Sequence, residues 1–171
     1  MGGTGQARRT LVAAIEDMST AGVVAVAAAR VAREMGADHI ALMHALDEHA
    51  MLNAVYGAAN YAAPVAETAE EGERVLELAE AALRAEYAGL DAPAPTVERM
   101  VVDGPPARAI EQAAAAPGVV GVVLGARRPH AFGRLTHPDV RARVSARIAV
   151  PVHVAALQAG HEERPVENKE G

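Results

Sequence analysis

Five short apolar runs alternate with longer stretches in which apolar residues recur at helical spacing, and this alternation allows few folds. The runs occupy residues 10–15, 39–46, 96–102, 119–124 and 150–155. Short and continuously apolar strands are typical of a sheet that is covered on both faces. Helices between consecutive strands favour parallel pairing with right-handed crossovers. The sequence therefore predicts an α/β fold, a five-stranded parallel sheet with helices on both faces.

Two long helices are predicted from caps and periodicity. The first follows Asp17, Ser19 and Thr20, each of which can cap a helix, and Gly36 supplies its stop. The clearest helix spans 67–87, where acidic residues crowd the first turns and favour a helix N-terminus. Its apolar stripe comprises Val75, Leu76, Ala79, Leu83 and Tyr87.

Shorter helices are predicted at 107–116 and 139–148, the first of them with proline in its opening turn, where proline is tolerated. The segment 47–65 has no helical repeat and contains glycine, proline and two asparagines. It predicts an irregular connection, and a connection of this length inside a compact domain is often functional or mobile.

Length and composition indicate one domain. A chain of 171 residues can bury a substantial core, and no internal repeat is visible. We expect a loose tail at 1–8, the domain at 9–157 and a flexible polar tail at 158–171. Apolar residues make up 51% of the chain, yet only four residues are aromatic. The core must therefore be aliphatic and rich in alanine, which favours closely packed helices on the sheet.

Charge and cysteine content exclude several classes of function. The net charge of −6 disfavours nonspecific binding to nucleic acid or to anionic membranes. The absence of cysteine excludes disulfides, thiol catalysis and thiolate metal sites. No signal peptide and no apolar stretch of ~20 residues is visible, so a soluble cytoplasmic protein is the expectation.

Acidic residues and glycines follow several of the predicted strands. We expect the carboxyl ends of the strands near Ile15, Leu46, Val102, Leu124 and Ala155. Ligands of open parallel sheets bind beyond these ends, near the point where the strand order reverses. The rule brings together Glu16, Asp17, Asp47, Asp103, Gly104 and Gly125. The carboxylates could hold Mg²⁺ beside a nucleotide, and the alternative is a solvated acidic rim.

The segment after the fourth strand carries a further pattern. Gly125-Ala126-Arg127-Arg128 is followed ten residues later by Pro138-Asp139 at the start of a predicted helix. In position these residues match the loop Gly, two residues, Gly, nine residues, Gly-Ser/Thr, which wraps a nucleotide's phosphates in the universal stress protein family. The chain resembles this family over about 9–156, and the likeness is strongest over 97–155.

This resemblance implies the adenine-nucleotide α-hydrolase-like fold, a homodimer joined partly through the last strand, and a cleft that in many members binds ATP or AMP with Mg²⁺. Other members lack the glycine motif and bind no ATP detectably. The likeness places candidate cofactor-binding residues at Ile15, Glu16, Asp17, Met43, Gly104, Gly125, Arg127, Arg128 and Asp139.

The phosphate loop departs from the family pattern at three positions. Arg128 adds a Cβ where glycine allows close approach, and Pro138 removes an N–H donor. Asp139 replaces the hydroxyl residue and repels phosphate. At ~4 Å, two like unit charges cost ~1 kcal/mol in water and ~4 kcal/mol near a protein surface. Alternatively, nearby cationic side chains rebuild an anion site. These are Arg127, Arg128, His130, Arg134 and His137.

Three functions therefore remain open. The first is a dimeric, non-enzymatic stress-response module that binds a protein partner and little or no ATP. The second is a switch that binds ATP, AMP or a cyclic nucleotide. The third is an enzyme acting on ATP, which we disfavour because no organised set of acid, base and nucleophile stands out. The run 44–49 contains metal-capable groups but spans a strand end, and His153 is interpreted as a packed or interface residue.

Overall fold

All five predicted strands form, and they pair in one parallel sheet. The structure, a computed structural model, describes residues 8–46, 62–126 and 140–156. The strands are β1 (Thr10–Ala14), β2 (His39–Leu46), β3 (Thr96–Asp103), β4 (Val119–Gly125) and β5 (Val152–Ala155). Their order is β3-β2-β1-β4-β5, and every neighbouring pair is parallel. The predicted α/β fold is confirmed, and the strand order reverses between β1 and β4.

Helices cover both faces of the sheet. The described helices are α1 (Met18–Met35), α2 (Ala62–Tyr87), α3 (Pro106–Ala114) and α4 (Val140–Ser145). Because successive side chains of a strand point to opposite faces, β1 contributes to two cores. Leu11 and Ala13 pack with α1 and α2, whereas Val12 packs with α3 and α4.

Helices α1 and α2 pack closely against each other, as the alanine content predicts. The stripe predicted on α2 is buried along its length, from Val75 to Tyr87. Alanines supply much of the facing surface of α1, and five of them have no exposed area. They are Ala21, Ala25, Ala28, Ala29 and Ala32. The hydroxyl of Tyr87 donates to the backbone oxygen of Ala29 at 3.2 Å, so the polar end of this buried ring is satisfied.

Element ends differ from the predictions by a few residues. Helix α2 begins at Ala62, five residues before the predicted start, so the irregular connection was predicted too long. Proline at position 64 lies in the first turn, where backbone N–H groups have no intrahelical partner, and so it does not stop the helix. Strand β5 begins at Val152 rather than at residue 150. The rest of the predicted connection, 47–61, lies outside the described residues.

The predicted tails are described only at Arg8, whose side chain is hydrogen-bonded to His39. The other tail residues lie outside the described part of the chain.

Candidate functional site

The carboxyl edge of the sheet brings together most of the predicted site residues that the structure describes. Ile15, Glu16 and Asp17 link β1 to α1, and Met43 lies in β2. Gly104 follows β3, and Gly125 ends β4. The remaining predicted residues, Arg127, Arg128 and Asp139, lie outside the described residues.

Ile15 is fixed to β2 through both of its backbone polar groups. Its N–H donates to the backbone oxygen of Met43 at 2.9 Å, which extends the pairing of β1 and β2 by one residue. Its carbonyl oxygen lies 3.0 Å from Nδ1 of His44. Because a carbonyl only accepts hydrogen bonds, Nδ1 of His44 carries the proton. The backbone that leads into Glu16 is therefore held by β2.

Asp17 caps α1. Its Oδ1 accepts from the backbone N–H of Thr20 at 2.9 Å and from the hydroxyl of Ser19 at 2.7 Å. The hydroxyl of Thr20 in turn accepts from the backbone N–H of Asp17, which completes a reciprocal capping box. Of the three predicted cap residues, Asp17 takes this position, and Thr20 supports it from inside the helix.

These hydrogen bonds also set the acidity of Asp17. Burial by itself would raise the pKa of its carboxyl group. The hydrogen bonds from Ser19 and Thr20 favour the charged form and outweigh burial, so the pKa of Asp17 lies below its ordinary value. The negative charge therefore stays at the positive end of α1, where the helix dipole also favours it.

Gly125 is required for packing between β4 and α1. A Cβ at this position would lie 3.2 Å from Cγ2 of Val24 and 3.7 Å from Cβ of Thr20. The first distance is shorter than ordinary van der Waals contact, so a larger residue would push α1 away. The glycine that the sequence associates with a phosphate loop thus has a packing role in the described structure. Gly104 has a pairing role, because its N–H donates to the backbone oxygen of Leu46 at 2.9 Å.

A partly open hollow of about 210 Å³ lies between this edge and α2. The described residues that line it are Glu16, Asp17, His44, Glu71 and Val75. Three of these five side chains are carboxylic acids, so this part of the lining is acidic at neutral pH. Cationic or uncharged groups are therefore better suited to it than a polyphosphate, because like charges in a shared cleft repel.

A sequence profile of the universal stress protein family matches residues 7–156. The chain belongs to this family. No curated protein sequence gives a significant match.

Solved structures of universal stress proteins superpose on this chain. A protein from Archaeoglobus fulgidus has a TM-score of 0.60 at 21% identity, over 85% of this chain and 92% of that chain. UspA from Lactobacillus plantarum has a TM-score of 0.60 at 20% identity, over 88% and 99% of the two chains. A universal stress protein in complex with cAMP has a TM-score of 0.53 at 22% identity, over 88% and 98%. At these identities the likeness shows the fold.

In this universal stress protein, the described carboxylates at the sheet edge do not converge as metal ligands do. Among the side chains of residues 8–46, 69–126 and 140–156, no three His, Asp or Glu residues form a group that could hold a metal ion. The Mg²⁺ hypothesis depended partly on Asp47, which lies outside these ranges. Nδ1 of His44, which was considered as part of a metal motif, is hydrogen-bonded to the backbone oxygen of Ile15.

Residues from α2 were missing from the sequence prediction of the site. Glu71 and Val75 line the hollow because α2 packs against β2 and β3, where Gly72 lies beside His44 and Val101. Val75 was assigned to the core, and no local pattern distinguishes Glu71 from the other acidic residues of α2. Across the described helices, none combines the length and the apolar character needed to span a membrane.

Proposed function

We propose that this universal stress protein is a dimeric, cytoplasmic stress-response module that acts through a protein partner and binds ATP weakly or not at all. The observation that carries the proposal is the acidic hollow at the carboxyl edge of the sheet, lined by Glu16, Asp17 and Glu71. No enzymatic step is assigned to it.

Two features of this edge oppose a triphosphate. The first turn of α1 could offer backbone N–H groups to an anion, but Asp17 already accepts from Thr20 there. Each carboxylate that lies ~4 Å from a phosphate oxygen would cost ~1–4 kcal/mol, depending on solvent exposure. Arg128, Pro138 and Asp139 in the loop sequence act in the same direction, since they remove small residues and a donor from the phosphate position.

Titration calorimetry with ATP and Mg²⁺ tests the proposal, and we expect little heat from the unmodified protein. The triple variant R128G/P138G/D139S should raise ATP affinity, because it restores close approach and a donor and removes a charge. Lost phosphate hydrogen bonds of ~1.5–3 kcal/mol each correspond to ~10–100-fold in affinity. Micromolar binding by the unmodified chain would refute the proposal.

The hollow can be tested separately from the loop. We expect Glu71→Gln to raise the affinity for ATP a further few-fold in the triple variant, because one carboxylate is removed from the lining. Glu73→Gln is the matched control, since Glu73 is an exposed acid of the same helix outside the hollow. Equal effects of the two substitutions would assign any gain to overall charge rather than to the hollow.

A nucleotide-binding switch is the second candidate. It is supported by the fold shared with a universal stress protein solved in complex with cAMP. A cyclic monophosphate carries one negative charge, so the acidic lining would repel it less than it repels ATP. Parallel titrations with cAMP, AMP and ATP distinguish the candidates. Binding of cAMP or AMP without ATP would favour the switch.

The proposed homodimer forms through β5, which lies at the edge of the sheet. The N–H of Val122 donates to the oxygen of Pro151, and the N–H of Ala126 donates to that of Ala155. In a parallel ladder, every second residue of a strand bonds to the same neighbouring strand. The backbone N–H and C=O groups of Val152 and Val154 therefore point away from β4, towards the free edge. The side chain of Val154 is 41% exposed. An edge that no other described strand covers, with an exposed valine, favours association with a second copy.

Light scattering tests the dimer independently of any ligand. We expect the mass of two chains at micromolar concentrations. A monomer mass over this range would refute the dimer and leave the conclusion about ATP unaffected.

A further inference from the structure

The amino edge of the sheet, opposite the hollow, contains a buried histidine with a partner on each ring nitrogen. His39 is the first residue of β2 and is 3% exposed. Its Nδ1 lies 2.8 Å from Nη2 of Arg8, and its Nε2 lies 3.1 Å from Oε2 of Glu98 on β3. The three side chains therefore connect the residues before β1 with the edge strand β3, across the start of β2.

The partners determine which ring nitrogen carries the proton. A guanidinium group only donates hydrogen bonds, so Nδ1 of His39 must accept from Arg8. An ionised carboxylate only accepts, so Nε2 must donate to Glu98. Both bonds exist together only when the imidazole is neutral and protonated at Nε2.

The backbone that follows Arg8 is held independently of the Arg8 side chain, because the N–H groups of Asp38 and His39 donate to the backbone oxygen of Arg9. The carbonyl group of Arg8 lies beside Gly118, which has φ of +83°, and a Cβ on Gly118 would overlap the Arg8 oxygen. The N–H of Thr10 donates to the backbone oxygen of Gly118 at 2.8 Å. The contact with His39 can therefore open through movement of the Arg8 side chain, without displacement of β1.

The other charged groups at this edge are engaged elsewhere. Arg9 donates from its side chain to the backbone oxygens of Met35 and Gly36, and its N–H donates to Oδ1 of Asp38. Glu111 of α3, on the same face of the sheet as His39, lies near two arginines of the α4 region, Arg143 and Arg147. Arg8 and Glu98 are thus the charged groups bonded to His39.

We propose that Arg8, His39 and Glu98 form a pH-operated clamp. With a neutral imidazole the clamp is closed, and the segment that enters β1 is tied through β2 to β3. Protonation places a hydrogen on Nδ1, where it faces the Arg8 guanidinium, so this bond breaks while the bond to Glu98 gains opposite charge. Opening of the clamp therefore accompanies protonation of the His39 ring.

Nuclear magnetic resonance of the full chain tests this proposal without any substitution. At pH 8, ring nitrogen shifts of His39 should show the neutral form protonated at Nε2. The Arg8 Nε–H should then be ordered, with an order parameter of about 0.8. At pH 5.5 this order parameter should fall below about 0.6. The two transitions should share one midpoint. A neutral ring protonated at Nδ1, or an Arg8 side chain equally ordered at both pH values, would overturn the clamp.

A charge-removing variant adds a second readout. Glu98→Gln keeps a hydrogen-bond acceptor beside Nε2 but removes the charge that favours the protonated ring. Opening of the clamp should therefore move to lower pH. Glu73→Gln, on the exposed side of α2, is the control and should leave the transition where it is. A transition that Glu98→Gln leaves unchanged would contradict the assigned role of Glu98.

Discussion

His44 and Ile15 are joined across the ends of two neighbouring strands by a bond of 3.0 Å from Nδ1 to the backbone oxygen. Replacing His44 with alanine leaves this carbonyl without its side-chain donor, and we expect a loss of about 0.5–1.5 kcal/mol from the hydrogen bond alone. His44→Asn is the matched control, because its amide nitrogen can occupy nearly the position of Nδ1. Urea unfolding should show a smaller loss for asparagine, and equal losses would contradict a role for the bond.

Asp17→Ala should destabilise the protein by about 1 kcal/mol at neutral pH, because it removes the cap of α1. Asp17→Asn keeps an acceptor for the N–H of Thr20 and should lose less. Since the folded pKa of Asp17 is lowered, its charge adds stability above the ordinary carboxyl range of about pH 4, and this is lost as pH falls through the folded pKa. Unfolding free energies at pH 6 and pH 3 should therefore show a larger deficit for asparagine at pH 6. A deficit that grows in acid would contradict this sign.

Gly125→Ala should destabilise the fold by about 1–3 kcal/mol, because the new methyl group crowds Val24. Val24→Ala makes room, so the two substitutions should show a favourable coupling of about 0.5–3 kcal/mol in a double-mutant cycle. Gly22→Ala is the control, since a Cβ there meets nothing within 4 Å and alanine favours a helix. Additive losses would show that Val24 does not limit the space at Gly125.

The absence of cysteine allows the proposed β5 interface to be mapped by single cysteines. An antiparallel pairing centred on His153 joins Val152 with Val154 of a second copy and places the two His153 residues opposite each other. The two His153 residues then form a non-hydrogen-bonded pair, in which the Cα atoms lie ~4.5 Å apart, a distance that a disulfide can bridge. We expect His153→Cys to cross-link under mild oxidation. The Nε2 of His153 has no hydrogen-bond partner among the described residues, so the substitution removes no bond known there.

Val154→Cys is the matched control. In this register Val154 faces Val152 of the second copy, and Val154 of that copy lies two residues further along the strand, too far for a disulfide. The mixture of Val152→Cys with Val154→Cys should cross-link. If light scattering shows a dimer but Val154→Cys forms a disulfide between the two copies, the proposed register is wrong and the dimer is still supported.

Sequence periodicity predicted the strands and the buried stripe of α2 because both reflect which side chains leave water. The eight residues of β2 are apolar apart from His39 and His44 and lie between turn signals, and the structure gives this strand the same bounds. The early start of α2 was not predictable in this way, because proline at position 64 signals a break unless the first turn is already known to begin at Ala62.

The site was harder to predict than the fold because its contacts join distant parts of the chain. Asp17 was identified as a cap candidate from its own neighbours, and the structure confirms that position. The bond from His44 to Ile15 depends on the register of β1 with β2, and the contribution of Glu71 depends on where α2 crosses the sheet. Neither is encoded in a local pattern. Gly125 was associated with a phosphate, whereas its described neighbours are the side chains of α1.

Strand β1 has five residues, about 17 Å of extended chain, and β2 carries a histidine near each of its ends. His39 bonds to the side chain that precedes β1, and His44 bonds to the backbone that follows it. Sliding β1 by one residue would break both bonds and would turn Leu11 and Ala13 to the opposite face of the sheet. The two histidines therefore hold β1 at both of its ends, and they oppose a shift of the central strand along its own axis.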